Sequence, residues 1–138
     1  MKIVVDAYAW IELFRGSEDG RKAAEMMSQA LEVYTPGTVL AEIARKYIRE
    51  GVAEEETTDR LRRIEEASQV ADIDIEAAVL SAKGDIELRK RARSRGLHTP
   101  SLLDGIVLGT ARRLGCRVLT GNEHFEELPE TIMLGPES

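Results

Sequence analysis

The sequence predicts an α/β fold, a three-layer α/β/α sandwich around a mostly parallel sheet of four to five strands. Two observations carry this. Apolar runs of only four or five residues recur along the chain, short enough for strands buried on both faces, and longer stretches with helical spacing separate them. Punctuation agrees: Gly51, Gly96 and Gly115 fall where helical stretches end, and Pro36 and Pro100 fall where two begin. At 138 residues and 43% apolar, the chain suits one compact domain over 1–138.

Taken in order, "KIVV" (2–5) is the first strand, and Asp6 breaks its apolar run. That run is too short for a signal-peptide core or a membrane span, and no long apolar run follows, so a soluble, cytoplasmic protein with no membrane segment is expected. Helical patterns at 7–14 and 18–31 lead to the strand "EVYT" (32–35). Two more, at 37–50 and 53–67, form an insertion-sized arm expected to project as a helical pair before the strand "QVADI" (69–73). Helices at 74–94 and 101–115, then the strands "RVLT" (117–120) and "TIML" (131–134), complete the pattern, with no internal repeat, low-complexity tract or linker.

A net charge of −6 argues against coating nucleic acid through bulk charge but leaves room for a local basic face. Candidates are "RKRARSR" (89–95), with five basic groups in seven residues, and the clusters Arg45, Lys46, Arg49 and Arg112, Arg113; a solvated helix surface balanced by the many glutamates is the favoured reading of them. The lone Cys116 reads as a small buried apolar residue, which excludes a Cys-rich zinc site. His98 and His124 lack ligand-pair spacing and are assigned to surface or turn roles.

In open parallel sheets, ligands gather at the carboxyl ends of strands where strand order reverses. Asp6 and Asn122, the only asparagine, follow the first and fourth strands, and converge if those strands are neighbours. Asp6 also suits a helix N-cap. On a helical wheel at about 100° per residue, Asp104 lies among the apolar positions of its helix. A carboxylate there calls for donors or a cation, although "SLLD" also reads as a capping pattern. Glu42 falls outside the apolar arc of Val39, Leu40, Ile43, Ala44, Tyr47 and Ile48, and a pair with Lys46 would account for it.

With "VVDAYAWIELFRGS", "TPGTVLAEIARKY" and "PSLLDGIVLGTARRLGCRVLTGNEHF" in this order and spacing, the chain resembles, over its full length, the PIN-domain family of metal-dependent ribonucleases, in particular the VapC-like toxins of prokaryotic toxin–antitoxin pairs. The resemblance implies a PIN-like fold and a site for Mg²⁺ or Mn²⁺ at Asp6, Glu42 and Asp104, with Asn122 where the family carries an acidic residue. Glu42 is thereby promoted against its wheel position. Hard oxygen ligands suit such cations, which also relieve repulsion among clustered carboxylates. An amide at 122 removes one negative charge and cannot act as a base; Glu123 stands beside it.

The expectation is therefore a Mg²⁺- or Mn²⁺-dependent endoribonuclease hydrolysing RNA phosphodiester bonds, a toxin restrained by a small antitoxin and assembled as a homodimer. Asp6, Glu42, Asp104 and Asn122 form its site. Asn122 supports the rival, a PIN-fold module with weakened catalysis that binds RNA or protein. A receiver-type phosphoacceptor fits less well, because "LTGNEHF" lacks the lysine such a site uses.

Overall fold

The computed structural model describes residues 1–135. The chain runs β1 (Lys2–Val5), α1 (Ala7–Arg15), α2 (Glu18–Gln29), β2 (Glu32–Pro36), α3 (Gly37–Arg49), α4 (Glu54–Ala67), β3 (Gln69–Ala71), α5 (Ile75–Arg95), α6 (Leu102–Leu114), β4 (Arg117–Thr120), a 3₁₀ turn (Glu123–Phe125) and β5 (Thr131–Met133). The five strands form one sheet in the order β3-β2-β1-β4-β5, with every pairing parallel. This is the helix-flanked parallel sheet that the sequence predicts. The "QVADI" strand is shorter than predicted and ends at Ala71, because Asp72 and Ile73 are exposed and Asp74 caps α5. No helix among the described residues is long and apolar enough to cross a membrane.

β1 is central because its side chains are apolar on both faces: Ile3, Val4 and Val5 are all fully buried. Strand order reverses on either side of it, with β2 and β3 to one side and β4 and β5 to the other. β1 and β4 are therefore neighbours, in the register Val5 to Leu119, and their carboxyl ends open the crevice where such sheets bind ligands. Trp10 pins α1 to β2 by donating its indole N–H to Thr35 Oγ1 at 3.1 Å.

The helical arm does not project. Val39, Ile43 and Tyr47 of α3 and Ile64 of α4 are buried in the main core, so the pair packs onto the body of the domain and walls one side of the crevice. Their burial removes apolar surface that a projecting pair would leave in water.

α5 and α6 approach closely along small residues, and that contact sets the position of the α6 N-terminus. A Cβ built on Gly109 would lie 2.4 Å from both the backbone N and the Oγ of Ser81. Because one of those atoms is backbone, relief requires the helices to separate. Gly109→Ala is expected to destabilise the protein by about 1–3 kcal/mol, read as a lowered urea midpoint with unchanged slope.

Candidate active site

Asp6 leaves the carboxyl end of β1 and caps α1: its Oδ1 accepts from Ala9 N at 3.1 Å, and its Oδ2 accepts a hydrogen bond from the Thr120 hydroxyl. The same hydroxyl accepts from Asn122 N at 2.9 Å. Thr120, fully buried at the end of β4, thus ties the two strand ends together. The Asn122 side chain works in both directions. Its Nδ2 donates to Asp104 Oδ1 at 3.1 Å, and its Oδ1 accepts from His124 N at 3.0 Å.

Asp104 stands in the first turn of α6, and both readings of it hold together. It closes a capping box with Ser101, in which Ser101 N donates to Asp104 Oδ2 at 3.2 Å and Asp104 N donates to Ser101 Oγ at 3.3 Å. It is also half-buried, and its charge acts on Asp6 and Glu42.

Glu42 differs from its wheel reading. Lys46 pairs with Glu50 at 2.7 Å, leaving Glu42 half-buried toward the crevice, while Ile48, placed on the apolar arc, is 58% exposed. One apolar face cannot describe α3, which borders the core on one side and the crevice on another. The structure brings Asp6, Glu42, Asp104 and Asn122 to one end of the sheet: Asn122 bonds Asp104 directly, Thr120 links it to Asp6, and the charges of Glu42 and Asp104 both act on Asp6.

Burial, followed by the charges of Glu42 and Asp104, lifts the Asp6 carboxyl from its ordinary 3.8 to about 7 against the lowering effect of its two hydrogen bonds. Burial and the charge of Asp104 raise Glu42, which Arg45 partly offsets. Burial raises Asp104 against its bonds to Ser101 and the nearby histidines.

The histidines take the loop and turn places expected of them, His98 exposed and His124 in the 3₁₀ turn, but they also meet. His124 is buried, and its Nε2 lies 3.2 Å from His98 Nε2, with Glu123 Oε1 3.8 Å from His98 Nδ1. Spacing along the chain hides this pair, because the loop before α6 and the turn after β4 meet only at the carboxyl end of the sheet. Thr120 was equally unmarked in the sequence; its one signal is its place as the last residue of an apolar strand.

A groove of about 980 Å³ leads away from this cluster between α1, α3 and α4. Tyr8 and Glu42 border it at the acidic end, Ile11, Phe14, Tyr47 and Val52 form apolar walls, and Arg45 and Arg49 add positive charge beside the ion-paired Arg15, Lys46 and Arg60.

Among the described residues, no group of three or more His, Cys, Asp or Glu side chains is disposed to hold a metal ion as it stands. The donor set nevertheless suits a hard divalent cation. It is all oxygen, its carboxyls are pushed toward protonation by burial and mutual repulsion, and each bonded oxygen of Asp6 and Asp104 retains a second lone pair. Glu42 makes no hydrogen bond among the described residues and can turn toward the other two.

The PIN domain model matches residues 3–131 of the chain. Comparison with curated proteins gives no match. Solved structures share the fold. A toxin–antitoxin complex from Klebsiella pneumoniae is 20% identical with a TM-score of 0.68, over 95% of this chain and 96% of the other. VapBC2 from Rickettsia felis, bound to a promoter DNA fragment, is 16% identical with a TM-score of 0.70 over 96% and 97%. The sarcin–ricin loop cleaving toxin VapC20 from Mycobacterium tuberculosis is 17% identical with a TM-score of 0.61 over 84% and 86%.

The raised Asp6 carboxyl has a stability consequence of defined sign. The folded chain keeps this proton between about pH 4 and 7, where the unfolded chain has released it. Stability from the group is complete below 3.8 and is lost as pH rises through about 7. Asp6→Asn is therefore expected to stabilise the metal-free protein by roughly 1–3 kcal/mol at pH 8 and by little or nothing at pH 4. Equal effects in urea melts at both pH values would contradict a carboxyl held so high.

Proposed function

The chain belongs to the PIN-domain family, and on that premise we propose that it is a Mg²⁺- or Mn²⁺-dependent endoribonuclease, a single PIN domain over 1–138 acting in the cytoplasm as the toxin of a VapBC-like pair. The observation that carries the reading is the acid cluster itself. Three carboxyls crowd the β1–β4 crevice with raised affinity for protons, and a groove with positive walls leads to them.

Asp6, Glu42 and Asp104 would hold the cation. When bound, it supplies Lewis acidity toward the scissile phosphate and lowers the pKa of a water. Thr120 fixes the orientation of Asp6 through Oδ2, and the Asn122 amide fixes Asp104 through Oδ1. Arg45, close enough to lower Glu42, sets a positive charge for substrate phosphate beside the carboxylates.

An antitoxin segment with apolar and basic groups would fill the groove, an arginine meeting the carboxylates. The toxin–antitoxin complexes among the fold's neighbours support this partner. A homodimer is proposed with it. One observation favours the weakened-catalysis reading, namely that Asn122 spends its amide on Asp104 where an acid would add a charge.

Purified protein is expected to cleave RNA with Mn²⁺ or Mg²⁺ and to lose activity in EDTA, and Asp104→Asn should cost about a hundredfold or more while leaving the fold intact. Cleavage that persists in EDTA, or with Asp6→Asn and Asp104→Asn, would sink the proposal. RNA binding with no cleavage under any metal would select the module reading.

Asn122→Asp supplies a second test with a readout besides activity. It removes the donor to Asp104 and sets two carboxylates against each other, so the metal-free protein should melt lower. Mn²⁺ should then bind about five- to thirtyfold more tightly than in the wild type, seen as a larger Mn²⁺-induced rise in melting temperature. An unchanged metal response would place residue 122 outside the cation's influence.

A further inference from the structure

We propose that Tyr8 is a base-stacking platform at this site, so that RNA passes the carboxylates as a single strand with one nucleobase laid on the tyrosine ring. The inference rests on the nuclease reading and deepens it by naming a residue that would position the substrate.

The chain has six aromatic side chains in 138 residues, one Trp, three Tyr and two Phe. Trp10, Tyr47 and Phe125 are buried, and Phe14 and Tyr34 are half-buried. Tyr8 alone is exposed, at 37%. A chain so sparing with aromatic surface has placed its one exposed ring two residues after Asp6, at the acidic end of the groove that also carries Glu42 and Arg45.

The ring is also held. Its hydroxyl donates to Asp19 Oδ2 at 2.6 Å, which anchors the far end to α2. One face of the ring lies against the residue that precedes Asn122, since a Cβ added to Gly121 would fall 2.1 Å from the ring's Cε1, 2.5 Å from Cζ and 2.6 Å from Cδ1, so a base would take the opposite face. Glycine at 121 is what allows the ring to settle against the end of β4. A ring fixed from two sides loses little further freedom when a ligand covers it.

A flat, fixed ring beside a phosphate-handling site matches the way single-stranded nucleic acid is gripped, with bases on aromatic faces and the backbone on cations. Cations are available. Arg45 and Arg49 line the same groove, and among the described residues neither makes an ion pair. Bases inside an A-form duplex are already stacked on each other and offer no free face, so the platform selects single strands and loops.

The test measures binding by fluorescence anisotropy with a labelled short oligouridylate, using the full chain with Asp104→Asn in every arm to suppress turnover, and with Mn²⁺ present. Tyr8→Leu is expected to weaken binding about tenfold, and Tyr8→Phe, which keeps the ring, to change it less than about twofold. A series of oligouridylates each lacking one base should contain a position whose loss weakens binding about tenfold for the Tyr8 chain and hardly at all for Tyr8→Leu. Thermal melts check that both variants fold, which the exposure of the side chain favours. Unchanged binding by Tyr8→Leu, or equal sensitivity to every missing base in both chains, overturns the platform while leaving the nuclease reading standing. Absence of RNA binding together with absence of cleavage by the wild type overturns both.

Discussion

The carboxyl of Asp6 is buried at the end of the central strand, and the surrounding residues are arranged around the cost of placing it there. An ionised carboxylate in that position loses its water and meets two other acids. The chain returns part of the loss with the Ala9 N–H and the Thr120 hydroxyl, and it leaves the rest as a raised proton affinity. On the proposed function, that residual would give the crevice a preference for a positive guest. It depends on β1 and β4 being neighbours in parallel register, since no other strand order would bring Thr120 to Asp6.

The amide at 122 follows from the same constraint. Asp104 is already committed through one oxygen to the Ser101 cap, and its other oxygen faces residue 122. Aspartate there could only accept, so two carboxylates would stand within hydrogen-bonding distance without a proton between them. Asparagine donates to Asp104 with one end and holds the following turn with the other, through His124 N. The site is thereby better settled when no cation is present, at the expense of one charge when one is.

The fold was legible because short apolar runs alternate with longer helical ones, a pattern that a parallel sheet with helices on it satisfies and few other arrangements do. Asp6 and Asp104 were legible as dual-role residues, acids at helix starts: Asp6 caps α1, Asp104 closes the Ser101 capping box of α6, and both stand in the cluster. Glu42 was misplaced by periodicity, because a wheel assumes one apolar side and α3 has two covered sides of different polarity. The His98–His124 contact and the Thr120 bridge were invisible for another reason. Each joins segments far apart in the chain, and the sheet topology that joins them carries no local residue signature.

The acidic balance of the whole chain is compatible with the proposed handling of a polyanion because the cations are unequally employed. Lys46, Arg60, Arg89 and Arg112 are each matched to an acid within 4.0 Å. Arg113 spans Asp74 and Glu76. Such pairs leave little field beyond their own neighbourhood. Arg45 and Arg49 are not paired in this way among the described residues, and both border the groove that ends at Glu42. A phosphate backbone moving along that wall would gain charge contacts until it reached the carboxylates, where repulsion would stop it. Overall charge would therefore decide little in the proposed nuclease: attraction along the wall and repulsion at its end would together make the strand's arrival conditional on a cation between phosphate and carboxylate.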